Sequence, residues 1–124
     1  MSSRTLIFAY GTLMRGECRH WLLEDQRFMG EAQTLPRYRL FNCGAFPAVV
    51  EVSAGGKSIL GEVWSVDNAR LQALDDEEGT ADQLYNRALI QLAAPFADEA
   101  VEGYLYLGST AAMPDCGTSW RTRG

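Results

Sequence analysis

The sequence predicts an α+β domain built on a small, curved, barrel-like mixed sheet flanked by short helices. Three observations point there. Six or seven strand-like runs follow one another with turns between them, only two segments have helical spacing, and no strand–helix alternation supports a doubly wound parallel sheet. The length of 124 residues suits one core, and residues 1–124 are expected to form a single domain.

Thr5 to Tyr10 is apolar, partly β-branched and stopped by glycine, so it reads as a buried strand. Gly11 to Gly16 is a glycine-bounded loop. Cys18 to Asp25 is expected to form a short helix with Trp21 and Leu22 facing inward. Arg27 to Thr34 and Tyr38 to Cys43 read as strands joined through Leu35-Pro36-Arg37. Phe46 to Val52 carries a proline near its start and continues apolar, and Ala54-Gly55-Gly56-Lys57 is the clearest hairpin turn. Ser58 to Val66 alternates as a strand does. Asp67 or Asn68 is a good N-cap for a helix with Leu71 and Leu74 inward, ending between Asp75 and Gly79. Leu84 to Leu92 and Val101 to Leu107 complete the strands. The tail from Gly108 is small and polar, with Trp120 as its only large anchor, and is expected to be less ordered.

Composition narrows the function. Sixteen acids against eleven Lys and Arg leave a net charge of −5, without the basic stripe of a nucleic-acid binder. The most basic cluster is Arg121 and Arg123, read as a solvated tail. No apolar run approaches a membrane span, and Met1-Ser2-Ser3-Arg4 does not begin a signal peptide. Three scattered cysteines, Cys18, Cys43 and Cys116, fit neither a disulfide framework nor a zinc pair, so a cytoplasmic setting is expected. The single histidine, His20, argues against a multi-histidine metal site. No metal and no cofactor are expected.

Four features could carry chemistry. Tyr10-Gly11-Thr12-Leu13 lies directly after the first strand, where successive N–H groups can converge on an anion, or simply end the strand in an ordinary turn. Asp75-Asp76-Glu77-Glu78 is poorly placed at the negative end of a helix dipole. One of these acids turned into an apolar pocket would titrate above the usual value of about 4.3 and could exchange a proton near neutrality. Tyr85 and Arg87, two apart on a strand, share a face, and Arg87 is read as a structural partner for an acid. Cys18 and His20 lack the third group of a nucleophilic site. Cys43 reads as a small buried hydrophobe.

In order and spacing these pieces resemble the γ-glutamylcyclotransferase-like, or AIG2-like, family. The matching signals are Tyr10-Gly11-Thr12-Leu13, Phe46-Pro47-Ala48-Val49, Gly61-Glu62-Val63-Trp64, Leu74-Asp75, Glu78, Tyr85-x-Arg87 and Gly103-Tyr104-Leu105-Tyr106. They run from about residue 5 to 107. The sequence is most similar to the small γ-glutamylamine cyclotransferase and BtrG-like branch. The resemblance implies a pocket between the Tyr10–Leu13 loop and the acidic segment, with Glu78 as general acid/base. Glu77, one position earlier, is the alternative register. It implies release of 5-oxoproline and an amine from a γ-glutamyl substrate. Gly11, Thr12 and Leu13 would grip the α-carboxylate or stabilise oxygen charge, and Tyr10, Tyr85 and Tyr106 would help form the pocket. A module that binds a small carboxylated or γ-glutamyl ligand without turnover is the other reading. The oligomeric state and the amine half of the substrate stay open.

Overall fold

The structure, a computed structural model, describes residues 3–44 and 46–122. Met1, Ser2 and Arg123, named above, lie outside the described residues. The strands are β1 (Arg4–Ala9), β2 (Arg27–Gln33), β3 (Tyr38–Asn42), β4 (Pro47–Glu51), β5 (Leu60–Asp67), β6 (Tyr85–Leu89), β7 (Val101–Tyr106) and β8 (Asp115–Gly117). One α-helix, α1 (Asn68–Glu78), follows β5, and single 3-10 turns occupy His20–Leu22 and Trp120–Thr122.

Two sheets pack around one apolar cluster. The larger has the order β2-β5-β1-β7-β6 and the smaller β4-β3-β8. Within the larger sheet only β1 and β7 run parallel. This is the curved mixed sheet that the sequence predicts, open rather than closed into a barrel. β1 lies at its centre, so Ile7, Phe8 and Ala9 are all buried although they alternate faces. β5 is buried on both faces as well, which is why its alternating pattern does not separate inside from outside.

Strand β1 ends at Ala9, and the chain then enters the Tyr10–Leu13 loop at the middle of the sheet. From the other side, β5 runs through Asp67 directly into α1. The Asp67 side chain accepts from the Arg70 amide at 2.8 Å and caps the helix. Gly79 ends it in the left-handed conformation, φ 71°, with its N–H on the carbonyls of Asp75 and Asp76. Helix α1 therefore stops at a fixed place, one residue after Glu78.

Four expectations need correction. The segment Cys18–Asp25 forms only a single 3-10 turn, and Trp21 is 59% exposed. Neighbouring residues in so tight a turn point about 120° apart, so the core takes Leu22 and Leu23 instead. The Gly55-Gly56 turn does not build a β4–β5 hairpin. Lys57 returns to β3, exchanging backbone bonds with Tyr38 at 2.7 and 3.4 Å, and the chain crosses into the other sheet before β5 begins. The tail is not loose, because buried Cys116 and Trp120 give it two apolar anchors and β8 pairs with β3. Cys43 is only half buried, beside the Tyr106 hydroxyl.

Candidate functional site

A cleft opens where the end of β1, the start of β4 and the end of α1 meet. Its water-accessible volume is about 20 Å³, room for a water or so. Phe8, Tyr10, Gly11, Thr12, Leu13, Arg19, Pro47, Glu78 and Tyr104 are among its lining residues.

Glu78 is its carboxylate. Leu71, Leu74 and Glu78 lie three and four residues apart on one face of α1. That face packs inward, leaving Leu74 fully buried and Glu78 8% exposed. Asp76 and Glu77 point to solvent. Asp75 is occupied elsewhere. It accepts from Arg87 Nε at 2.8 Å, Arg87 Nη2 at 3.2 Å and the Tyr104 hydroxyl at 2.7 Å. Arg87 also donates to Glu102 at 2.7 Å, so it ties the acidic segment to the sheet. Of the four consecutive acids, Glu78 alone lines the cleft.

Burial pushes the Glu78 carboxyl above the ordinary glutamate value. Arg19 opposes this, and the Glu77 charge adds to it. The nearest cation is the Arg19 guanidinium, whose Nη2 is 3.6 Å from Glu78 Oε1. Arg19 is fastened to the loop opposite. Its amide donates to the Thr12 carbonyl at 2.8 Å and its Nε to Thr12 Oγ1 at 2.9 Å.

The Tyr10–Leu13 loop forms the facing wall. Among the described residues, the amides of Gly11, Thr12 and Leu13 donate to no protein acceptor. Gly11 has a further constraint. A Cβ built on it would lie 2.1 Å from Pro47 Cγ, so the loop and β4 touch in a way only glycine permits. The glycine is needed for this close approach, not for a left-handed turn. The Tyr10 hydroxyl is buried and donates to the Tyr104 carbonyl at 2.5 Å. Burial and the Glu78 charge hold it well above the usual phenol value.

The structure thus brings Tyr10, Gly11, Thr12, Leu13 and Glu78 to one cleft. It leaves Tyr85 and Tyr106 off the lining. Tyr85 stands behind Pro47, donating to its carbonyl at 2.5 Å. Tyr106 packs edge-on against Tyr85 with ring centroids 5.4 Å apart. These two are braces, and Tyr104 takes the wall position expected of them. Sequence reading missed Arg19, Pro47 and Tyr104. Arg19 is the only basic residue to line the cleft among the described residues, yet it sits in an irregular loop with no periodic pattern to single it out. His20 supports the same loop, with Nδ1 2.9 Å from the Leu13 carbonyl and its ring against Trp64. Cys18 is exposed. Among the described residues no three His, Cys, Asp or Glu side chains converge as a metal site, and no helix is long and apolar enough to cross a membrane.

Residues 7–121 match the family described as gamma-glutamyl cyclotransferase, AIG2-like. A putative gamma-glutamylcyclotransferase of Arabidopsis thaliana is 37% identical over 123 residues, covering 93% of this chain and 64% of the plant protein. The human gamma-glutamylaminecyclotransferase is 33% identical over 122 residues, covering 85% of this chain and 79% of the human one. The crystal structure of a uropathogenic Escherichia coli-specific protein superposes with a TM-score of 0.81 at 28% identity, covering 96% of this chain and 94% of that one. The chain belongs to the AIG2-like gamma-glutamyl cyclotransferase family. It spans about three fifths of the length of the Vibrio cholerae and Arabidopsis thaliana relatives.

Proposed function

We propose that this chain is a γ-glutamyl cyclotransferase acting on a small γ-glutamyl amide, with Glu78 as general acid/base. The observation that carries the proposal is the placement of Glu78. It is the one acid of its run that is buried in the cleft, opposite amides that no protein acceptor uses. Family membership supports the same reading.

In this mechanism the α-amine of the γ-glutamyl group attacks its own γ-carbonyl carbon. Glu78 takes the proton that the amine loses as the new C–N bond forms. It then delivers that proton to the departing nitrogen as the old C–N bond breaks. The products are 5-oxoproline and an amine, and Glu78 returns to its starting state. One carboxylate serves both steps because the two nitrogens flank the same carbon. Its raised pKa suits a group that must accept and return a proton near neutrality. The nucleophile is tethered, so much of the barrier is met by holding the reactive conformer. The Gly11–Leu13 amides would hold the α-carboxylate or stabilise oxygen charge in the tetrahedral stage.

The test is to incubate the purified protein with a panel of γ-glutamyl compounds and measure 5-oxoproline. Glu78→Gln is expected to lower kcat by about 100- to 10,000-fold, while the solvent-facing Glu77→Gln retains activity. Full activity in Glu78→Gln would refute the mechanism. Binding of γ-glutamyl compounds with no turnover of any would point to a non-catalytic module instead.

A further inference from the structure

We infer that Arg19 and Glu78 together form a clamp for the charged head of an α-amino acid, with Arg19 the carboxylate-recognising half. The inference rests on the γ-glutamyl reading above. It goes beyond that reading by adding a substrate-recognition residue, a side-chain cation for the α-carboxylate beside the loop amides.

The cleft has two charged lining side chains among the described residues, and they have opposite sign. Arg19 Nη2 and Glu78 Oε1 stand 3.6 Å apart, longer than a charge-assisted hydrogen bond. An α-amino acid carries its amino and carboxylate groups on one carbon, so two opposite charges set side by side, as these are, can each face one of them. Glu78 would face the amine, as proton exchange requires. The guanidinium would then face the carboxylate.

The guanidinium is aimed for this task. Thr12 holds Arg19 by its amide and by Nε, which fixes the orientation of the planar group. Nη2 makes only the long contact to Glu78, and neither Nη atom has a closer acceptor among the described residues. The terminal edge of the fork is therefore available for bidentate carboxylate binding. The Thr12 strap also puts Arg19 on the same side of the cleft as the Thr12 and Leu13 amides. One anion could take donors from both. A carboxylate engaged by Arg19 offsets the positive charge that favours ionised Glu78, and so leaves that carboxyl the stronger base. Binding and activation of the base are then coupled through one side chain.

The experiment compares γ-glutamyl ethylamide with its α-carboxamide counterpart in wild type and Arg19→Gln. Wild type is expected to prefer the carboxylate by roughly 100-fold in kcat/KM, the loss expected when a charge-assisted pair is removed. Arg19→Gln should lose most of that preference, chiefly through a higher KM for the carboxylate. Arg19→Lys should restore part of it. Thr12→Val, nearly isosteric, removes only the Nε acceptor and should weaken the preference in the same direction. An unchanged carboxylate preference in folded Arg19→Gln, or in Thr12→Val should Arg19→Gln fail to fold, overturns the inference. Calorimetric binding of 5-oxoproline and its carboxamide separates this from failure of the cyclotransferase reading. A preference for 5-oxoproline that Arg19→Gln abolishes upholds the carboxylate site even without turnover. An affinity indifferent to Arg19 or to the carboxylate refutes it.

Discussion

Replacing Gly11 with alanine tests the contact on which the cleft is built. The added methyl would lie 2.1 Å from Pro47 Cγ, 3.0 Å from Cδ and 3.1 Å from Cβ. The proline ring cannot swing aside as a flexible chain would. It is the first residue of β4, and its carbonyl is held by the Tyr85 hydroxyl at 2.5 Å. Overpacking of this kind costs about 3 kcal/mol. Alanine recovers about 0.5 to 1 kcal/mol by restricting the unfolded chain, leaving a net loss of about 2 kcal/mol. At roughly 2.1 cal/mol/K per residue the unfolding entropy of 124 residues makes 1 kcal/mol worth about 4 °C. The Tm in a calorimetric or circular-dichroism melt should therefore fall by about 8 °C. Activity should fall further than stability accounts for, because relief of the clash moves the loop that faces Glu78. In Pro47→Ala the methyl meets neither Cγ nor Cδ, so the double variant should lose less than the two single losses combined. A Gly11→Ala protein with wild-type Tm would refute the close-contact argument.

Further outcomes follow from the same structure. Burial raises the Glu78 pKa, so its charged form is disfavoured in the folded protein; this costs stability as pH rises from the unfolded value through the folded one. Glu78→Gln should accordingly be at least as stable as wild type at pH 7 in urea titrations while losing turnover, and a clear destabilisation would count against the pocket. The acid limb of kcat/KM against pH should report a midpoint above the ordinary carboxylate range, and should disappear in that variant if residual activity is measurable. Glu62 behaves oppositely. Burial pushes its pKa up, but the Arg15 amide and side chain, the Trp64 indole and the Arg15 charge together hold it below the usual value. Its contribution is thus present above the unfolded pKa and lost as pH falls through the folded one. Glu62→Ala should cost about 3 kcal/mol at pH 7 by chemical denaturation, by leaving its partners unpaired, and less at acid pH. Asp67→Ala should lower stability through loss of the helix cap, measured the same way; no change would mean that packing alone fixes the start of α1.

Much of the strand set was legible because apolar runs bounded by glycine and proline report local geometry. Strand β1, helix α1 with its Asp67 cap, and the last long strand β7 are read from neighbouring residues alone. The Gly55-Gly56 turn misled for the complementary reason. Its residues permit a reversal, but the partner of the returning chain is Tyr38, chosen by the packing of two sheets. Trp21 faces solvent for a similar reason: its segment makes only one tight turn, in which a helical period has no room to repeat.

The site divides in the same way. Glu78 and the Tyr10–Leu13 loop stand out in the sequence through residue type, position at a helix end and order along the chain. Local pattern could not distinguish Glu77 from Glu78, since both lie within a helical turn of Leu74. The tertiary structure separates them: the face of α1 that packs against the sheet carries Glu78 into the cleft and leaves Glu77 in solvent. Nor does any local pattern connect Gly11 with Pro47, or Arg19 with Glu78. Those pairs are 36 and 59 residues apart in the chain, and sequence patterns carry no distance between segments. The chain alone therefore determined which elements form and which residue types could do acid/base chemistry. Packing of the two sheets decided which acid is desolvated and which cation stands beside it.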